Sequence, residues 1–129
     1  MSFDFTKLDF ATKAEAGAVM QVKNPLTGEA LGATVTVIGT DSKTFRNLAK
    51  QRSVASMERT AEDLKTYDAD ADNISMIAKC ILGWTGIFEG ETEIKFSYEN
   101  AVMMLTKYSW LREQIDRFVG DRANFLPSA

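Results

Sequence analysis

The sequence predicts an α+β fold, mainly α, in which a small N-terminal β-hairpin or meander is followed by a bundle of about four helices. Three observations lead there. β-Branched residues alternate with polar ones over Thr34-Val35-Thr36-Val37-Ile38. Neither Gly nor Pro interrupts the stretch from Lys43 to about Tyr67, where good helix formers dominate. Ile74, Ile77, Ala78 and Ile81 recur at i, i+3, i+4 and i+7, the spacing of one buried helical face. A length of 129 residues suits a single domain, divided here into an arm at 1–17, a β unit at 18–40, a helical part at 41–120 and a tail at 121–129.

Each element has its own signal. Phe3 and Phe5 alternate in a segment that reads either as an edge strand or as a tail that orders on docking. Ala18-Val19-Met20-Gln21-Val22 is a short apolar strand, and Asn24-Pro25-Leu26-Thr27-Gly28 a turn, with Pro fixing φ and Gly free to make it positive. Asp41 and Ser42 offer N-caps to the long helix. On that helix Phe45, Leu48 and Ala49 share one face, and Met57, Ala61 and Leu64 share another, so the apolar stripe is thin and the helix half solvated or short of a partner. The polar run Asp68 to Asn73 breaks the chain, with Asp72 or Asn73 as the next cap, and Gly83 stops the Ile74–Ile81 helix. A loop with Trp84, Gly86 and Gly90 leads to a short strand at Glu93–Phe96. Ser97 caps a helix with Ala101, Met104, Leu105 and Tyr108 inward, and a second helix to Gly120 turns Leu111, Ile115 and Phe118 to one side.

Composition narrows function. The chain is 45% hydrophobic and 26% charged, as an ordinary soluble domain is. A chain of this size buries roughly two thirds of its unfolded surface and needs no disulfide or metal staple. No apolar run matches a bilayer crossing, and the first residues lack the basic and apolar regions of a signal peptide. A lone cysteine, Cys80, fits a reducing compartment, and the cytoplasm is the expected location. The complete lack of histidine removes His general bases, Ser–His–Asp and Cys–His arrangements and His-containing zinc sites.

The remaining candidates are mostly for binding. Asp68, Asp70 and Asp72 match the first ligands of an EF-hand, but Asn73 replaces the turn glycine and Lys79 puts a cation where the closing Glu belongs. No phosphate-binding glycine motif occurs. Cys80 sits beside Ile77 and Ile81, which favours core packing over nucleophilic chemistry. Lys43, Arg46, Lys50, Arg52 and Arg59 make the first half of the long helix basic, which suits either an acidic partner or a plain solvated face. A net charge of −3 and the absence of interleaved aromatics argue against nucleic acid. Among the aromatics, Trp84 and Phe88, in a Gly-containing loop, suit partner contact better than Tyr108 and Trp110 at a helix junction. The expected partner-binding set is therefore Trp84, Phe88, Phe45, Arg46, Lys50 and Arg52, with no catalytic residue, metal, cofactor, nucleic acid or membrane.

The order of several short motifs adds a further indication. Pro25-Leu26-Thr27-Gly28-Glu29-Ala30-Leu31-Gly32 precedes the β stretch, and Gly39-Thr40-Asp41-Ser42 opens the charged helix. Gly83-Trp84-Thr85-Gly86 is followed by Phe96-Ser97-Tyr98-Glu99-Asn100-Ala101, and Leu111-Arg112-Glu113-Gln114-Ile115 leads to Asp121-Arg122-Ala123-Asn124-Phe125-Leu126. Over most of its length the chain resembles the tail assembly chaperones of long-tailed bacteriophages. The resemblance implies a non-enzymatic protein of the host cytoplasm, made in a short form and a longer frameshifted one. Such a protein coats the tape measure protein while tail tube subunits polymerise, is able to self-associate, and is absent from the mature virion. Three other readings compete: a tail-completion or head–tail connector component of the virion, a nucleic-acid-binding regulator using the basic half-helix, and, last, an enzyme relying on carboxylates or lysine.

Overall fold

In the computed structural model, which describes residues 2–127, helix precedes strand. A 3-10 turn (Phe5–Leu8) and helix α1 (Phe10–Ala16) come first. Each is started by an aspartate: Asp4 accepts the Thr6 N–H at 3.0 Å and Asp9 the Thr12 N–H at 3.2 Å. Two strands follow, β1 (Ala18–Lys23) and β2 (Ala30–Val37), joined by the expected turn, in which Asn24 Oδ1 accepts the Leu26 N–H at 2.8 Å. The third strand of the sheet, β3 (Ile81–Thr85), arrives only after α2 (Lys43–Glu58), α3 (Ala61–Thr66) and α4 (Ala69–Lys79). A two-stranded hairpin, β4 (Phe88–Glu89) and β5 (Thr92–Glu93), then leads to α5 (Tyr98–Lys107), α6 (Ser109–Gly120) and a final 3-10 turn (Arg122–Phe125).

The expected arrangement, an N-terminal β unit followed by a four-helix bundle, is therefore overturned. Among the described residues the fold is α+β with six α-helices, a three-stranded sheet in the order β1-β2-β3 and a separate two-stranded sheet. Phe5–Leu8 and Phe10–Ala16 are helical where an edge strand or docking tail was expected, because Asp4 and Asp9 act as caps. The segment around Trp84, expected as a loop, is β3, antiparallel to β2 with Val35 opposite Trp84 and Val37 opposite Ile81. The helical periodicity through Ile81 masked this strand, since α4 ends at Lys79 and Ile81 is buried from the sheet instead.

The long helix expected to reach Tyr67 is two helices. Arg59 adopts extended backbone, and Thr60 and Asp63 form a reciprocal capping box: Asp63 N–H to Thr60 Oγ1 at 3.1 Å and Thr60 N–H to Asp63 Oδ2 at 2.9 Å. Likewise α4 starts before Asp72, because Asp68 accepts the N–H groups of Asp70 and Ala71, both at 3.1 Å.

Alternation puts Met20, Val22, Ala33, Val35, Val37 and Ile81 on the inner face of the sheet, where they form one core with Ile74 and Ile77 of α4, Met104 and Leu105 of α5, and Leu111 and Ile115 of α6. Each fully buried side chain of this size contributes about 1.5–3 kcal/mol. Phe125 belongs to the same core: a Cβ at Gly39 would lie 2.9 Å from its ring, so the bare glycine admits it. The expected tail is thus packed as far as this turn, while Ser128 and Ala129 lie outside the described residues.

Candidate partner-binding site

The helix that sequence left short of a partner is the most exposed long element. None of the sixteen residues of α2 is buried. Its root is fixed firmly nonetheless. Ser42 is buried, donates to Gly39 O at 2.7 Å and accepts the Phe45 N–H at 3.0 Å. Thr44 binds the Glu15 carboxylate through both its N–H and its hydroxyl, and Arg122 grips Asp41 with two bonds of 2.6 and 3.0 Å. That ion pair holds Asp41 below the usual carboxylate range.

The far end of α2 is held by side chains alone. Arg52 Nε donates to Asp72 Oδ2 at 2.7 Å, the Tyr67 hydroxyl donates to the same oxygen at 3.0 Å, and the Arg59 guanidinium lies 3.7 Å from the centre of the Tyr67 ring. Between root and far end α2 roofs an open groove of about 570 Å³. Met76, Ile77, Cys80 and Val119 floor it, and Phe45, Ala49, Ser53, Ser56 and Met57 form the α2 wall. Met57 is 77% exposed, and Leu64 on α3 is 59% exposed.

The six residues expected to bind a partner do not form one site. Phe45 and Arg52 line the groove, whereas Arg46 and Lys50 are exposed on α2 and absent from its lining. Trp84 lies in β3, edge-on to Phe96 at 5.2 Å, with its indole N–H donated to Ile94 O at 2.8 Å, so it is a packing residue of the sheet. Phe88 is 55% exposed and borders a different cavity, between the β4–β5 hairpin and α5–α6. Sequence reasoning missed Tyr67, Asp72 and Met76 in the groove. Only the tertiary approach of α2 to α4 brings them into one place.

The groove offers little to catalysis. Burial first, and the Asp116 carboxylate second, push the Cys80 thiol up to about 12. The three aspartates resembling an EF-hand serve different partners: Asp68 caps α4, Asp70 meets Arg112 at 2.7 Å and Asp72 meets Arg52. Among the described residues no group of three or more potential metal ligands exists.

A family model described as YdaY prophage protein matches residues 40–128, from the root of α2 to the C-terminal residues. The chain belongs to the YdaY prophage protein family. It is thus a protein of phage origin, and the family region contains α2, the groove and the Phe88 cavity wall from α5 and α6. No curated protein and no solved structure matches the chain. Among the described residues no helix is long and apolar enough to cross a membrane.

Proposed function

We propose that this phage protein is a non-enzymatic tail assembly chaperone. It holds a helical segment of the tape measure protein in the α2 groove and helps recruit tail tube subunits in the host cytoplasm, leaving before the virion is complete. The observation that carries this reading is the sixteen-residue α2, without a buried side chain, standing over a groove floored by Met76, Ile77 and Val119. A helix so little covered beside a groove suits the docking of an amphipathic helix. The basic charge of α2 and the exposed Met57 and Leu64 give such a helix both polar and apolar contacts.

Co-expression with the tape measure protein from the same phage tests the reading. The expected result is a soluble complex that co-purifies, and a Met57→Lys variant whose affinity falls roughly tenfold without loss of helicity. An insoluble tape measure protein with nothing co-purified would remove the proposal. Mass spectrometry of purified virions separates it from a tail-completion or connector protein, since a chaperone is missing from the particle.

A further inference from the structure

The Phe88 cavity is separate from the α2 groove and has a chemistry of its own. It measures about 300 Å³, at the small end of the roughly 300–1,000 Å³ typical of ligand sites. Val22, Ala33, Ile87, Met104 and Leu111 make its buried wall. Leu31, Phe88, Tyr108 and Trp110 make its mouth. Leu31 is 49% exposed and Phe88 55% exposed, so two large apolar side chains flank an apolar hollow that this chain does not fill. Interiors are otherwise close-packed, and an unfilled hollow forfeits contacts that an inserted side chain would restore.

The polar surroundings select the occupant. Among the described residues no charged side chain lines the cavity. The Tyr108 hydroxyl is already donated to Glu89 Oε2 at 2.6 Å, which leaves few convergent polar groups to orient a small molecule. The chain beside it, by contrast, leans acidic: Glu93 stands opposite Phe88 in the β4–β5 pair, with Glu91 in the turn between the two strands. The segment 86–95 carries Glu89, Glu91 and Glu93 against Lys95 alone, and Glu29 stands two residues before Leu31. Glu89 is paired with Lys107 at 2.7 Å, while Glu29, Glu91 and Glu93 are exposed and form no ion pair among the described residues. Opposite charge around an apolar anchor fixes register and steers encounter.

We propose that this cavity is a second docking site, for a protein segment that inserts one leucine-sized side chain between Leu31, Phe88 and Trp110 and carries lysine or arginine on both sides to face Glu29, Glu91 and Glu93. The site is independent of the groove under α2 and gives the protein a way to hold two different chains at once.

Amide NMR of the ¹⁵N-labelled full chain tests it, with a synthetic peptide carrying one leucine flanked by two lysines on each side. Shifts confined to Leu31, residues 86–93 and the Trp110 indole are expected. Replacing the peptide's leucine by serine, or its lysines by glutamates, should weaken binding roughly tenfold. The same loss is expected for Phe88→Ser, whose exposed site should spare the fold. A Glu91→Lys/Glu93→Lys chain should prefer the acidic peptide. Met57→Lys, at the other groove, should leave these shifts unchanged, so that failure here is distinct from failure of the tape-measure reading. Equal response to acidic and basic peptides, or binding indifferent to Phe88→Ser, overturns the proposal. So does a shift pattern at these residues that tracks protein concentration alone, which would assign the cavity to a second copy.

Discussion

A methyl group added at Gly86 would sit 2.7 Å from Gly32 O and 3.2 Å from the Ala33 Cα, and φ there is already 73°. Neither contact belongs to a side chain that can swing away, so the backbone of β2 or of the hairpin approach must move. Gly86→Ala should therefore cost about 2 kcal/mol or more, read as a lower urea midpoint, and should displace Phe88 from its cavity. Cys80 is the opposite case, a reactive atom kept idle. With its thiol pushed up to about 12 and its side chain buried, it should resist a thiol reagent at neutral pH until the protein unfolds. Above about pH 9 the unfolded thiol releases its proton while the folded one keeps it, so stability should fall as pH rises towards 12. At this scale the local signals in the sequence are uneven. Ser97, Asn24 and the inward residues of α5 follow local rules and lie where expected. Trp84 and Phe88, four positions apart beside the same glycines, could not be told apart. What separates them is that Trp84 lies opposite Val35 in the sheet, a pairing 49 positions away in sequence by their numbering, whereas Phe88 has no such neighbour in β2.

Elements differ in how much of each is written locally. α5 and α6 carry complete signals, an apolar face and, for α5, a serine cap, and both form close to their expected bounds. β3 carries a misleading one, because the apolar run at Ile77–Ile81 continues helical spacing across a boundary that Val37 and Thr36 impose from outside. The break between α2 and α3 is marked by the capping-box spacing of Thr60 and Asp63, a fainter signal than the Gly or Pro this stretch lacks. Helices α2 and α3 together form an arm over α4, and it makes a testable element. The Arg52 hydrogen bond holds Asp72 below the usual aspartate range, aided by the Tyr67 hydroxyl and opposed by burial. A depressed native value means that the unfastened arm binds more protons, so closure is fully supported above the ordinary aspartate pKa of about 3.9 and is lost as pH falls through the native value. Spin labels at positions 50 and 79 should report one narrow distance at neutral pH and a broadened one in acid, and Asp72→Ala should broaden it at every pH. Global stability should change by about 1 kcal/mol at most, because both partners are partly solvated.

At the level of the whole molecule, the class α+β was legible and the topology was not, since the order β1-β2-β3 is set by a strand that returns after three helices. The family region begins at Thr40 and so leaves out β1 and β2, the partners that β3 needs. A fragment of residues 40–128 would carry the five helices α2 to α6 with Ile81 and an unpaired strand edge facing water. It should be insoluble or molten alone, and a peptide covering residues 18–38 added in trans should restore cooperative unfolding; a fragment that folds without it would contradict the observed sheet. The two ends of the excursion from β2 to β3 are clasped by one backbone bond, Ile38 N–H to Cys80 O at 3.0 Å, while the arm within it is bolted at Asp41–Thr44 and only buttoned at Arg52, Tyr67 and Asp72. A chain pulled out of the groove would thus load the arm as a lever with its fulcrum at Ser42 and its catch at Asp72. If the groove holds a chain as proposed, the catch should yield first and the fulcrum hold, so that the chain leaves without a strand of the sheet being disturbed.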